Sequence, residues 1–169
     1  MITIREAKKE DTGKIREIYA PYIMNTAITF RDELSDFEEN KKEIIEISKS
    51  HAYVVVQEDD EILGYAYAAP VREQAAYNHS VETSIYLRPE VKGKNLGRKL
   101  YEKLYEILKN KGYSNLYAVI AVSDEQDEYL PEGSVAFHKK MGFEIVGKLN
   151  NCGKKFGHVY SVVWMEKVI

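Results

Sequence analysis

The sequence predicts an α+β domain: a mixed, mostly antiparallel central sheet of about seven strands flanked by about four helices. Three observations carry that expectation. Apolar residues switch repeatedly between a two-residue and a 3.6-residue period. Two β-branched stretches, residues 53–57 and 62–69, are separated only by a turn at Asp59-Asp60, which marks an antiparallel hairpin. No internal repeat or low-complexity linker divides the 169 residues, of which 44% are hydrophobic and 30% charged, so residues 1–169 are expected to form one domain with a substantial core.

Residues 2–5 read as a short edge strand. Asp11 or Thr12 can cap a first helix that carries Ile15, Ile18 and Tyr19 and is interrupted by Pro21. Residues 26–34 are irregular. Ser35-Asp-Phe-Glu38 has capping-box spacing, with Ser35 at the cap, and opens a helix bearing Phe37, Ile44, Ile45 and Ile47 that ends near Ser50. After the hairpin, residues 81–87 form a third strand, stopped by Pro89. Residues 95–110 place Leu96, Leu100, Leu104, Ile107 and Leu108 on one helical stripe, with Gly112 just past the end. Residues 117–122 are almost wholly apolar, as a strand covered on both faces would be. Residues 123–133 hold five acidic residues and one proline and read as a surface loop. Residues 134–140 form a short helix ended by Gly142, and 143–149 and 160–166 are final strands around the turn-rich 150–157.

The formal net charge of -3 provides no global positive field for nucleic acid or an anionic membrane. Cys152 is the single cysteine, which excludes an intramolecular disulfide and fits a reducing, cytoplasmic setting. A lone thiol without a CxxC pattern provides no structural zinc site, and His51, His79 and His158 lack metal-ligand spacing, so no metal is expected. The N-terminal residues are charged too early for the apolar core of a signal peptide. The longest apolar stretches, 52–56 and 116–122, fall far short of the roughly 20 residues that span a bilayer.

The informative stretch runs from Val81 to Leu104. A strand ends at Leu87, and the loop Pro89-Glu-Val-Lys-Gly-Lys-Asn-Leu-Gly97 leads into the long amphipathic helix. Gly93 and Gly97 permit close backbone approach, and Asn95 is the non-glycine type that most readily takes positive φ. Amides at a helix start, together with the dipole, make an anion site, here surrounded by Lys92, Lys94, Arg98 and Lys99. That chemistry suits a pyrophosphate. Spacing alone equally admits a lysine-rich turn before a surface helix. The loop has neither the G-x-x-x-x-G-K-[ST] nor the G-x-G-x-x-G arrangement, so neither a P-loop nor a dinucleotide fold is supported.

Gly93-Lys-Asn-Leu-Gly97 with Leu100, after a strand ending Tyr86-Leu87, resembles the acetyl-CoA loop of the GNAT acetyltransferase superfamily. Ser134-Val-Ala-Phe-His-Lys-Lys-Met-Gly-Phe143 resembles that family's later helix and its Gly-Phe ending. A narrower similarity, to the phosphinothricin and methionine sulfone acetyltransferase group, lies in Gly64-Tyr-Ala-Tyr-Ala-Ala-Pro70, Arg72, Ala76-Tyr77, Val81-Glu-Thr-Ser-Ile-Tyr86, Phe30-Arg31, His138 and the Gly-x-Lys-x-Gly segment 153–157. The resemblance implies a three-layer αβα fold, acetyl-CoA as donor, a small amino-acid-like amine as acceptor, and a homodimer. It implies that amides across Gly93, Lys94, Asn95, Leu96, Gly97 and Arg98 hold the pyrophosphate, with Lys92 and Lys99 beside them. Ile85, Tyr86 and Leu87 would bond the pantetheine arm, and Ser134 and Phe137 would contact the donor from the later helix. Two departures stand out: Asn95 replaces a common Gly, and Pro131 replaces a common Asn.

Acetyl transfer needs a neutral amine, a polarised thioester and a proton for the departing thiolate. Glu82 lies on an otherwise apolar strand, where alternation puts it with Ser84 opposite Val81 and Ile85. Shielding would raise its pKa and suit a general base, whereas on the outer face of the sheet it would be a solvated carboxylate. His138 is the candidate proton donor, or else a helix-surface residue or a neighbour of the CoA sulfur. Tyr160 lines the substrate pocket or fills the core. Arg72 suits a substrate carboxylate, or is an ordinary loop charge. Gln74 stands where the herbicide-resistance enzymes carry a second basic residue. Phe30 and Tyr77 would supply apolar walls. A peptide acetyltransferase and a non-catalytic acetyl-CoA-binding module are the alternative functions compatible with this fold.

Overall fold

The computed structural model describes residues 1–91 and 93–169, so Lys92 lies outside the described residues. Seven strands form one sheet in the order β1-β2-β3-β4-β5-β7-β6. They are β1 (Ile2–Glu6), β2 (Ala52–Glu58), β3 (Glu61–Pro70), β4 (Ser80–Leu87), β5 (Asn115–Val122), β6 (Glu144–Lys155) and β7 (His158–Val168), with helices α1 (Thr12–Asn25), α2 (Phe37–Ser50), α3 (Leu96–Asn110) and α4 (Ser134–Lys140). Every neighbouring pair is antiparallel except β4 with β5.

Strand alternation splits the apolar residues between two cores. Val54 and Val56 of β2 pack on one face against the α3 stripe of Leu96, Leu100, Leu104 and Leu108. Tyr53 and Val55 face the other way, against Ile15 and Ile18 of α1 and Ile44 and Ile47 of α2. Each fully buried leucine of α3 contributes about 1.5–3 kcal/mol, so that stripe alone holds the helix to the sheet. This is the three-layer arrangement expected from the resemblance.

Four local expectations are corrected. Helix α1 runs through Pro21 rather than ending before it. Pro21 forfeits a helical hydrogen bond, but the last turn is held from outside. Tyr22 donates its hydroxyl to the Leu87 carbonyl, and the Thr26 amide and hydroxyl both bond to the Tyr22 carbonyl. The cap of α2 is Asp36, which accepts the Glu38 amide at 3.1 Å, because the Ser35 hydroxyl accepts instead from Arg31 and its carbonyl from Arg16. On that helix Ile44 and Ile47 are buried, while Phe37 and Ile45 are exposed.

The other two corrections bear on the site. Strand β5 alternates, with Leu116, Ala118 and Ile120 buried and Tyr117 and Val119 only half-buried, so just one of its faces is fully covered. The turn-rich 150–157 is mostly strand. β6 continues to Lys155, with an irregularity between Leu149 and Gly153 where Asn151 takes φ 52 and bonds through its amide to the Ser161 hydroxyl. The chain reverses only at Phe156 and Gly157, both at positive φ, as a two-residue type I′ hairpin requires.

Candidate active site

The only parallel rungs of the sheet among the described residues join Ser80, Val81 and Glu82 to Asn115, Leu116 and Tyr117. Beyond Glu82 the two strands part while β5 stays paired with β7 as far as Val122, and a cleft opens between residues 83–86 and 118–121. On its other side β4 remains laddered to β3 from Val81 to Leu87. The Arg88 amide bonds to the Leu63 carbonyl at 2.8 Å. Antiparallel alternation therefore turns the main chain of Ile85 and Leu87 away from β3 and toward the cleft. The Leu87 carbonyl is taken by Tyr22, which leaves the Leu87 amide and both groups of Ile85 for a guest. Gly64 makes this ladder possible, since a Cβ there would lie 2.4 Å from the Leu87 side chain and 2.9 Å from the Tyr86 carbonyl.

Glu82 sits at the fork, half-buried, on the face shared with Ser84 and Tyr86, and Tyr86 packs under α1 against Tyr19 and Tyr22. Burial raises the Glu82 pKa from its ordinary value, the direction a base at near-neutral pH needs.

The turn before α3 is left-handed, as Gly93 and Asn95 allow. Gly93, Lys94 and Asn95 take φ 78, 59 and 52 in succession before α3 begins at Leu96. Lys94 was not expected to be left-handed. Its ammonium reaches the Glu58 carboxylate at 2.9 and 3.0 Å, and that contact holds it there. Arg98 is paired with Glu102 at 2.7 Å, and Lys99 is exposed. Among the described residues, Lys94 and Arg98 thus have carboxylate partners while Lys99 is exposed, so what the turn offers is chiefly its amides and the helix start. Gly97 keeps α3 close to α4, because a Cβ there would stand 3.1 Å from the Phe137 ring.

His138 is 3% exposed, and both its ring nitrogens are engaged. Nδ1 lies 2.7 Å from the Ser134 carbonyl, which can only accept, so the proton is on Nδ1. Nε2 then accepts from the Tyr101 hydroxyl at 2.8 Å. Tyr101 stands 3.4 Å from the Thr83 hydroxyl, which bonds to the Tyr117 carbonyl at 3.2 Å, so the chain spans α4, α3, β4 and β5 at the base of the cleft. Burial lowers the His138 pKa and raises that of Tyr101. Ser134, His138, Thr83 and Tyr101 all line the cleft.

The remaining candidates are dispersed. Tyr160 is 1% exposed, with its hydroxyl donated to Asp127 at 2.8 Å, and burial with Asp127 pushes its pKa up to about 12. Phe30 lies over Gly153, where a Cβ would be 2.4 Å from its ring, and 6.2 Å from the Tyr160 ring. Arg72 and Tyr77 line a separate hollow with His51 and Tyr113, so this chain does not bring them into the cleft. Tyr101, Thr83, Asp127 and Lys155 were missed from sequence. Tyr101 had a signal, since it lies four residues after Gly97 on the buried side of α3. Thr83 and Lys155 lay inside the quoted motifs 81–86 and 153–157 without being singled out, and Asp127 had no signal, because its partners are distant in sequence.

A family model described as an acetyltransferase (GNAT) domain matches residues 4–164. A phosphinothricin N-acetyltransferase of Streptomyces coelicolor is 32% identical over 170 residues, spanning 98% of this chain and 95% of its own. An L-methionine sulfoximine/L-methionine sulfone acetyltransferase of Salmonella typhimurium is 29% identical, spanning 98% and 93%. The crystal structure of a phosphinothricin acetyltransferase from Sinorhizobium meliloti in complex with AcCoA superposes with a TM-score of 0.87 at 30% identity, over 99% of this chain and 88% of that one. A forked parallel rung, a left-handed turn before α3 and a half-buried carboxylate coincide with a family match over nearly the whole length, and the chain belongs to the GNAT acetyltransferases.

Proposed function

We propose that this enzyme transfers acetyl from acetyl-CoA to the primary amine of a small amino-acid-like molecule of the phosphinothricin, methionine sulfone or methionine sulfoximine type. The observation that carries the reading is the position of Glu82, a carboxylate with a raised pKa at the point where β4 and β5 separate. The names of the relatives support the substrate class. The cleft suits the donor. The main chain of Ile85 and Leu87 offers hydrogen bonds to an amide-containing arm, and the amides from Gly93 to Arg98 suit a diphosphate at the α3 start.

In this reading Glu82 takes a proton from the substrate ammonium or from the attacking amine, directly or through one water. The amine nitrogen bonds to the thioester carbon, the carbon–sulfur bond breaks, and the thiolate of CoA takes up the proton that the acylated nitrogen loses, relayed by Glu82 or by water. His138 would not supply it in its present state, because Nδ1–H is held by a carbonyl and Nε2 carries a lone pair. Its role here is to hold Tyr101 and the floor of the cleft. Tyr160 lies below the surface with its hydroxyl on Asp127 and has no part in the transfer step, and Arg72 and Tyr77 line a hollow separate from the cleft. A homodimer is part of the proposal, supported by β6, a sheet edge that exposes Ile145, Val146 and Leu149.

Free-thiol release from acetyl-CoA, measured with methionine sulfone, methionine sulfoximine, phosphinothricin, ordinary amino acids, polyamines and a short peptide, tests the reading. Turnover of a sulfone or sulfoximine that collapses in Glu82→Gln supports it. Turnover of peptide alone assigns a protein acetyltransferase instead, and acetyl-CoA binding without turnover assigns a non-catalytic module.

A further inference from the structure

The acidic segment, residues 123–133, is fastened at points that the transfer chemistry leaves unused. Asp127 accepts through Oδ1 from the Tyr160 hydroxyl at 2.8 Å and from the Tyr129 amide at 2.9 Å, and its Oδ2 lies 2.7 Å from Nδ1 of His158. The Tyr129 carbonyl accepts the Ala27 amide at 2.9 Å, and the Tyr129 ring packs against Phe156 at 4.5 Å. Leu130 is buried with Ala27 and Tyr160. A run of acidic residues on a surface loop would ordinarily be solvated and free. This one is pinned through a buried phenol, and a hydrogen bond from a buried donor to a carboxylate is among the stronger kinds.

The pin lies beside the cleft. Leu130 and Pro131 are three and four residues after Asp127, and both line the space between β4 and β5 together with Ser84, Val119 and Ser134. Tyr160 itself is not among the lining residues; it stands beneath Leu130.

We propose that Asp127 and Tyr160 are positioning residues for donor binding: their hydrogen bond seats Leu130 and Pro131 as one wall of the acyl-CoA cleft. The inference rests on the reading that this cleft takes an acyl-CoA. Neither residue touches the transferred group, so the effect falls on affinity for the donor rather than on the rate of transfer.

Calorimetric titration with CoA tests it in the wild type, Asp127→Asn, Asp127→Ala, Tyr160→Phe and the double variant Asp127→Ala/Tyr160→Phe. Asp127→Ala and Tyr160→Phe should each weaken CoA binding about tenfold. The double variant should be within about twofold of Asp127→Ala, because the two residues make one interaction. Asp127→Asn retains an acceptor oxygen and should stay within about threefold of the wild type. At saturating acetyl-CoA, kcat should change by less than about threefold while the donor KM rises, a split that loss of stability alone does not produce. Tyrosine labelled with carbon-13 at Cζ adds a reading that needs no turnover. The resonance missing from Tyr160→Phe should titrate at lower pH in Asp127→Asn than in the wild type. Wild-type-like CoA affinity in Asp127→Ala and Tyr160→Phe, or additive losses in the double variant, overturns the inference and leaves the acetyltransferase reading standing. A wild type that does not bind CoA overturns that reading, and this inference with it.

Discussion

Glu82 and His138 show how burial drives two titratable groups in opposite directions. Glu82 has no side-chain hydrogen-bond partner among the described residues, and burial raises its pKa. A carboxyl raised in the folded state costs stability once it ionises. Glu82→Gln is therefore expected to be more stable than the wild type at neutral pH and equal to it in acid, which thermal melts across pH would show. In the same variant kcat/KM for the amine should fall about 10²–10⁴-fold, and the acidic limb of the wild-type pH profile should disappear. For His138 the sign is opposite. Its folded pKa is lowered, so the unfolded chain takes up the proton first and stability declines as pH falls below about 6.5. NMR titration should find its ring neutral, with the proton on Nδ1, to a pH below the ordinary imidazole value. A His138 resonance that titrated at or above that value would contradict the hydrogen-bond chain from Ser134 to Tyr101.

The turn before α3 and the β3–β4 ladder depend on backbone conformations that few residue types tolerate. Asn95 at φ 52 follows two other left-handed residues, and a β-branched side chain there would meet its own carbonyl. Asn95→Val should cost about 1–2 kcal/mol and weaken CoA binding, whereas Asn95→Gly should leave both near the wild type, as denaturant melts and calorimetry would record. Gly64→Ala tests the ladder. Its new methyl would lie 2.4 Å from Leu87 and 2.9 Å from a main-chain oxygen, and the second contact cannot rotate away. A loss of about 1–3 kcal/mol is expected, together with weaker donor binding, since the strand displaced is the one that offers Ile85 and Leu87. These elements were legible in sequence because the signals are local. Glycines and an asparagine mark left-handed positions, and the leucine stripe marks a 3.6 period. The Pro21 stop, the Ser35 cap and the early end of β6 were misread for one reason: tertiary partners such as Leu87, Arg16, Arg31 and Ser161 overrode the local preference.

A buried lysine fastens the α1 end of the molecule to the β6–β7 hairpin. Lys155, the last residue of β6, is 5% exposed and donates to the Ile23 carbonyl at 2.8 Å and the Thr29 carbonyl at 2.9 Å. It has no carboxylate within ion-pair distance among the described residues, and burial lowers its pKa. It ties the end of α1 and the loop carrying Phe30 to the β6–β7 hairpin, across more than 120 residues of sequence. Lys155→Ala leaves two carbonyls without partners and should cost about 2–4 kcal/mol. For a chain of this size that is a fall in Tm of roughly 5–15 °C, measurable by calorimetry. Amide exchange should quicken first in residues 26–34 and at the hairpin tip, because those are the segments the ammonium holds.

Composition, periodicity and a few glycine positions were enough to predict the α+β class, the seven strands, the four helices and a tight glycine-rich turn before α3, because each follows from interactions within about a dozen residues. Alternation put Glu82 opposite Val81 but left open whether it was shielded or solvated; the fold half-buries it. The tertiary structure alone decided where β4 and β5 part, that both nitrogens of His138 are occupied, that Arg72 and Tyr77 line a different hollow from the cleft, and that Asp127 reaches Tyr160. Each of those depends on a contact between residues more than 30 positions apart or on the spacing of whole elements. Such contacts are set by how the two cores pack on opposite faces of one sheet, a quantity no local pattern encodes.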